Sequence, residues 1–206
     1  MENEDFSKLK EFLLNYPKNI TSIYGEAGAG KTTLCLLSAI EYSLNNKKIL
    51  FLDSENNFST ERFMQLLNNR SKECLKNILI LKIKNFNLQH TQIKSLESIK
   101  NIDLIIVDSM THYYRRLYNK EPEIAKAMLG KQLSILKSIS VKIPVIVISQ
   151  VYSNMENKIM PLGKDILKKY SDILIKIEKS PRKIIIEKPV KKETKFEIIN
   201  EGIKLI

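Results

Sequence analysis

The 206-residue chain has no tryptophan, only two cysteines, and just six glycines and six prolines to punctuate it. Cys35 and Cys74 show no CxxC spacing and have no histidine pair nearby, so neither a disulfide framework nor a zinc site is expected; both read as reduced thiols. Nowhere do about 18 apolar residues run together, so no membrane-spanning helix is expected. The acidic start MENEDF also lacks the basic-then-apolar profile of a secretory signal. These absences lead to the expectation of a cytoplasmic protein with no membrane partner. Internal repeats and low-complexity linkers are missing too, and the length suits one domain with a sizeable core but not two. The expected organisation is a single domain over residues 1–206.

Acid is the scarcer charge: 23 Asp or Glu stand against 34 Lys or Arg, for a net charge of +11. Such an excess attracts polyanions, nucleic acid foremost. Lysines spread evenly over a surface would bind nothing specifically, however, so charge alone assigns no partner. Its distribution is more telling, because residues 158–206 carry 13 Lys or Arg against 7 Asp or Glu, which favours a basic face there.

Apolar runs at Ile20 to Tyr24, Ile49 to Leu52, Ile78 to Ile83, Ile102 to Val107 and Val145 to Ile148 alternate with longer stretches, the rhythm of βαβ units. LIIV and VIVI are apolar at every position, as parallel strands covered on both faces require. Helices are predicted at Lys31 to Leu44, where Leu34, Leu37, Ile40 and Leu44 share a face, and at Glu123 to Ile139, where Met128, Leu129, Leu133 and Leu136 do. Asn45 and Asn46 end the first. Phe6, Leu9, Phe12 and Leu13 recur at helical spacing before Pro17, predicting an N-terminal helix within residues 1–18 that packs on the domain. From Ile173 the pattern changes to period two: one hairpin turns at Ser180 and Pro181, and a second joins Phe196 to Ile199 with Ile203 to Leu205 through Asn200, Glu201 and Gly202. The expected fold is α/β, with a mostly parallel central sheet, helices on both faces and antiparallel C-terminal hairpin strands.

The residues GEAGAGKT, 25 to 32, satisfy G-x-x-x-x-G-K-[ST] directly after the first strand and before the first long helix, the context that phosphate binding needs. Gly25, Gly28 and Gly30, interleaved with Glu26, Ala27 and Ala29, let consecutive main-chain N–H groups turn towards phosphate oxygens. Lys31 adds a mobile positive charge, and the helix start directs its partial charge to the same place. The Thr32 hydroxyl is positioned to ligate magnesium, and Thr33 can reach the α-phosphate. ATP with Mg2+ is therefore the expected ligand. Asp108 closes a buried strand at the sheet edge where ligands bind, so its carboxylate can share the magnesium with Thr32. It could equally cap the following helix, and the two roles are compatible. Glu55, after the strand KKILFLD, would face the γ-phosphate and orient or deprotonate water. Gln150, after VIVIS, could sense the γ-phosphate and lead into a loop that responds to it.

In this order and at these spacings, GEAGAGKT, FLDSENNFSTERF, LIIVDSM and VISQVYSN resemble the RecA-type recombinase ATPase core, a P-loop NTPase fold, in its archaeal and eukaryotic branch. Within that branch the chain is most similar to the archaeal RadB family, short paralogues of RadA. The resemblance implies Glu55 as catalytic carboxylate, with Lys31 and Gln150 in the reaction site, Asp108 as the magnesium-linked acid, and Arg62 lying against adenine. It also implies two DNA-binding segments, THYYRRLYNK and VYSNMENKIMPLGK. In the first, Tyr113, Tyr114 and Tyr118 interleave with Arg115 and Arg116, a mixture able to stack bases and pair phosphates; a helix with its tyrosines packed inward is the plainer alternative. In the second, Lys158 and Lys164 are the candidate cations.

Full recombinases of this branch also carry a separate N-terminal DNA-binding domain and a Phe-x-x-Ala docking segment, and residues 1–18 contain neither. The implied protein is a slow ATPase, releasing ADP and phosphate, and a weak homo-oligomer at most. It would bind single-stranded or branched DNA and act as an accessory to a RadA-like recombinase and other repair proteins. A KaiC-like, ATP-switched protein-interaction module without a DNA role is the alternative. A small-molecule kinase fits less well, given Glu55 and Gln150.

Overall fold

The computed structural model describes residues 19–68, 70, 72–153 and 159–206. The expected N-terminal helix and Lys158 lie outside the described residues. Strands β1 (Ile20–Gly25), β2 (Ile49–Asp53), β3 (Ile78–Lys82), β4 (Leu104–Asp108) and β5 (Val145–Ser149) alternate with helices α1 (Lys31–Leu44), α2 (Thr60–Leu67), α3 (Phe86–Ser95), α4 (His112–Tyr118) and α5 (Pro122–Ser140). A two-stranded ribbon follows, β6 (Val151–Ser153) with β7 (Ile159–Pro161), then α6 (Lys164–Tyr170). The chain closes with β8 (Ile173–Lys179), β9 (Arg182–Lys188), β10 (Lys192–Ile199) and β11 (Gly202–Leu205).

Nine strands form one sheet in the order β11-β10-β9-β8-β1-β5-β4-β2-β3. Pairing is parallel from β8 through β3 and antiparallel from β8 out to β11. Strands β1, β2, β4 and β5 are buried along their whole length, which is why β2, β4 and β5 read as apolar runs up to their last residue, while β1 also buries Thr21 and Ser22. On one face, Leu34, Leu37 and Ile40 of α1 and Phe63 and Leu66 of α2 pack on Ile23, Phe51, Ile106 and Ile148. On the other, Ile93, Leu129, Leu133, Leu136 and Leu167, from α3, α5 and α6, pack on Ile20, Leu52, Val107 and Val147. Cys35 and Cys74 are free and buried in the first of these layers.

Helix ends follow local chemistry. The Ser59 hydroxyl accepts the Arg62 N–H at the start of α2, and the Asn85 side chain accepts the Leu88 N–H at the start of α3. Asn45 caps the C-terminus of α1, and Asn46 adopts a left-handed φ of 57°, as those two residues predicted. The first C-terminal hairpin turns at Ser180–Pro181, with Lys179 paired to Arg182.

Several boundaries differ from expectation. Strand β10 begins at Lys192 rather than at Phe196, because its first four residues are polar and exposed and pair with β9 without any apolar alternation to betray them. Gly202 is not a turn residue; it opens β11 opposite Ile199, leaving Asn200 and Glu201 as the turn. Strand β3 is the sheet edge, so Leu79 and Ile80 are exposed despite their apolar run. The ribbon β6–β7 and the seven-residue helices α4 and α6 occupy segments whose sequence shows no clear period.

Phe196 is 2% exposed and ties the C-terminal hairpin to the α1 layer, whereas Leu79 is 51% exposed at the sheet edge. In urea unfolding, Phe196→Ala should cost about 3–5 kcal/mol. Leu79→Ala should change stability by about 0.5 kcal/mol or less. Equal costs at the two positions would contradict the packing of the hairpin.

Candidate nucleotide site

The carboxyl ends of β1, β2, β4 and β5 converge on a cavity of about 290 Å³, the crevice where an open α/β sheet takes its ligand. From the glycine-rich loop it is lined by Gly25, Ala27, Gly28, Lys31 and Thr32; from the other strand ends, by Glu55, Asp108 and Gln150. The loop backbone calls for glycine at Gly25, Gly28 and Gly30, the last with a φ of +113°. A Cβ on Gly25 would sit 2.2 Å from the Ile177 carbonyl oxygen of β8, and Gly28 has a φ of +74°. Glu26 is exposed, Ala29 is fully buried, and Gly30 packs against Ile198, so these three would meet a ligand through main chain alone. Lys31 Nζ donates to the Gly25 and Glu26 carbonyls at 2.8 Å each. Burial holds its pKa below the usual lysine value, opposed by the Asp108 and Glu55 carboxylates.

Thr32 and Asp108, 76 residues apart, meet directly: Thr32 Oγ1 donates to Asp108 Oδ2 at 2.7 Å. Asp108 is 2% exposed. Its pKa is raised to about 7, chiefly by burial and also by Glu55 and Asp53, against the opposing Thr32 bond and Lys31. A carboxylate so placed is stabilised by a cation. A hydroxyl plus one carboxylate is a hard oxygen pair that suits magnesium completed by phosphate oxygens and water. No cluster of three or more His, Cys, Asp or Glu able to hold a metal occurs among the described residues, so a softer, fully protein-ligated metal does not fit.

Glu55 is held from three sides. Ser109 Oγ donates to its Oε1 at 2.6 Å, Gln150 Nε2 to the same oxygen at 2.8 Å, and Asn57 Nδ2 to Oε2 at 2.9 Å. His112 Nδ1 stands 3.9 Å away, its pKa lowered by burial and by Arg116 against the opposing pull of Glu55. Gln150 anchors at both ends of its main chain: its N–H donates to Thr111 Oγ1 at 2.8 Å and its carbonyl accepts the Leu162 N–H at 2.9 Å, across the base of the β6–β7 ribbon.

The Rad51 family profile matches residues 15–205. The chain belongs to the Rad51 family. Among its relatives in that family, the DNA repair and recombination protein RadB of Methanococcus maripaludis is 36% identical over 199 residues, 92% of each chain. RadB of Methanocaldococcus jannaschii is 32% identical and covers 96% of this chain and 99% of its own. A crystal structure of the RadB recombinase superposes with a TM-score of 0.78 at 31% identity, over 93% of this chain and 92% of that one.

Against this Rad51-family frame, some residues singled out in the sequence fall elsewhere than expected. Thr33 and Arg62 do not line the cavity. The Arg62 guanidinium instead donates to the Ile199 and Asn200 carbonyls of the β10–β11 turn. The base-stacking expected of Tyr114 is corrected: it is 3% exposed, packed between α4 and α5, and burial raises its pKa to about 12. Tyr113 is half-buried, its hydroxyl donating to the Ile83 carbonyl at 2.9 Å. Exposed rings in this region are Tyr118 at 38% and Tyr152 at 45%, which share a cavity of about 460 Å³ with Lys126 and Lys164. Lys164 also lines a neighbouring cavity with Lys168, Lys176, Lys188 and Glu187, so four lysines of the C-terminal quarter gather there.

Other residues went unnoticed in the sequence. Asn57, Ser109 and His112 lie within a few residues of Glu55 and Asp108, and polar neighbours of a strand-end acid were a usable signal. Arg182, which donates to the Gly28 and Ala29 carbonyls at 3.3 and 3.2 Å, arrives from a distant hairpin and left no local trace.

The raised pKa of Asp108 makes a signed prediction. Relative to the unfolded chain, where its pKa is near 3.8, the stability this group allows is intact below 3.8 and lost as pH rises through about 7. Asp108→Asn removes the buried charge while keeping an acceptor for Thr32. Without nucleotide, the variant should melt above the parent at pH 8, and the gap should close towards pH 4. A lower melting point at pH 8 would contradict the assignment.

Proposed function

We propose that the protein binds and slowly hydrolyses ATP, binds DNA, and serves as an accessory to a RadA-type recombinase in homologous recombination and repair. The observation that carries this reading is the double attachment of Gln150. Its side chain grips Glu55 inside the P-loop cavity, and its main chain anchors the ribbon that leads to Tyr152 and Lys164. A γ-phosphate arriving beside Glu55 would compete for that amide, so nucleotide state is transmitted to the candidate DNA surface by one side chain. Membership of the Rad51 family and the recombination names of the RadB relatives support the recombination role.

In this reading the loop amides and Lys31 hold the phosphates, Thr32 and Asp108 hold magnesium, and Glu55 orients water for attack on the γ-phosphorus, with ADP leaving. Tyr118 and Tyr152 offer stacking surfaces, and Arg116 and Lys164 offer phosphate contacts.

Fluorescence anisotropy of labelled single-stranded DNA, with and without ATP and magnesium and across salt, tests the reading. Binding should depend on nucleotide, and the double variant Arg116→Ala, Lys164→Ala should weaken it and flatten the salt slope by about 1.4. Salt-independent absence of DNA binding would instead favour a protein-interaction module. Separately, Glu55→Gln should lower steady-state hydrolysis by about a hundredfold while ATP affinity survives. Parallel loss of affinity would assign Glu55 to binding.

A further inference from the structure

Helix α4 sorts its side chains into three directions. Tyr114 and Tyr118, one turn apart, put their rings 5.4 Å from each other on the side that packs against α5. Tyr113 and Arg116 form a second pair, the Arg116 guanidinium 5.7 Å from the Tyr113 ring centroid. His112 and Arg115 form the third, and this pair faces the cavity: His112 stands beside Glu55, and Arg115 lines the space that holds Lys31, Glu55 and Gln150. Adjacent arginines on a helix diverge by roughly 100°, so Arg115 and Arg116 serve different surfaces although the sequence presents them as one basic patch.

The charge inside the cavity shows why an arginine there matters. Of the residues lining it, the charged ones are Lys31, Glu55, Asp108 and Arg115. Without Arg115, two carboxylates would face one ammonium, and that ammonium is spent on the loop carbonyls of Gly25 and Glu26. A magnesium-bound triphosphate remains anionic, and Arg115 adds a cation on the cavity wall to Arg182 and Lys179, which stand at the loop itself. The Arg115 guanidinium is exposed and has no hydrogen-bond or ion-pair partner among the described residues. A planar fork of donors with no partner among the described residues, in a cavity lining shared with Glu55 and Gln150, is matched to a phosphate group there.

We propose that Arg115 is a ligand of the terminal phosphate, supplied in cis by the helix that follows β4, and that it is not a DNA contact. The proposal rests on the ATP reading and deepens it: Arg115 makes the site prefer a triphosphate to a diphosphate. It also gives that helix two outputs, since a pull on Arg115 moves Arg116 on the neighbouring face.

The test is competitive displacement of a fluorescent ADP analogue from the full chain in magnesium, by ATP and by ADP, for the parent, Arg115→Ala and Arg115→Lys. Loss of a charge-assisted bond made only with the terminal phosphate should reduce the ratio of ATP to ADP affinity by about tenfold or more in Arg115→Ala. ADP affinity should change by about twofold or less, and Arg115→Lys should recover part of the ratio because it keeps the charge without the fork. The salt slope for single-stranded DNA should be unaltered in Arg115→Ala. An ATP-to-ADP ratio equal to the parent's, or a flattened DNA salt slope, overturns the proposal. Should Arg115→Ala melt well below the parent, Arg115→Gln, of similar length without charge, decides by the same ratio. If the parent itself displaces the probe with neither nucleotide, the ATP reading falls and this inference with it; if the parent binds both and only the Arg115 effect is missing, the inference falls alone.

Discussion

A hydrogen bond between Thr32, at the start of the first helix, and Asp108, at the end of β4, is the interaction on which the site depends. It joins the glycine-rich loop to the centre of the sheet and keeps a buried carboxylate partly compensated. It also leaves two hard oxygens facing the same space. Burial above all, with Glu55 and Asp53 adding to it, outweighs that compensation, which is why the Asp108 pKa stands at about 7. A polar cluster of this kind costs stability without its ligand and is repaid when a cation and phosphates arrive. The parallel sheet makes the arrangement possible, because it brings the ends of β1, β2, β4 and β5 to one edge from positions far apart in the chain.

From that edge the architecture passes outward through side chains that belong to two surfaces at once. Gln150 reaches Glu55 with its amide and steadies the β6–β7 ribbon with its main chain. Helix α4 places Arg115 in the cavity lining, while Arg116 lies over the Tyr113 ring and still acts on His112 beside Glu55. Lys164 stands between a tyrosine-lined cavity and a lysine-lined one. Gln150 and helix α4 thus connect the residues around Glu55 with the basic, aromatic surface beside the cavity, the connection that the proposed nucleotide response would use.

Much of this was legible in the sequence. The loop GEAGAGKT lay between a buried strand and a helix, and Asp108, Glu55 and Gln150 each followed an unbroken apolar run, so their common edge followed from the βαβ rhythm. The rest was hidden for physical reasons. Arg115 and Arg116 are neighbours in sequence, and which one turns inward depends on where α4 begins, a matter of one residue that local propensity does not resolve. Tyr114 looked like a stacking ring because its burial comes from packing on the next helix, α5, which the pattern of its own segment does not show. Arg182 supports the loop from β9, late in the chain. The exposed residues Leu79 and Ile80 read as core because an apolar run does not reveal that its strand lies at the edge.

The most direct measurement is a crystal structure of the chain with a non-hydrolysable ATP analogue and magnesium. The account predicts phosphate oxygens within hydrogen-bonding distance of the main-chain N–H groups from Gly28 to Thr32, with magnesium bound to Thr32 Oγ1 and set beside Asp108. A vacant cavity, or an analogue bound elsewhere with the Thr32–Asp108 bond undisturbed, would contradict it.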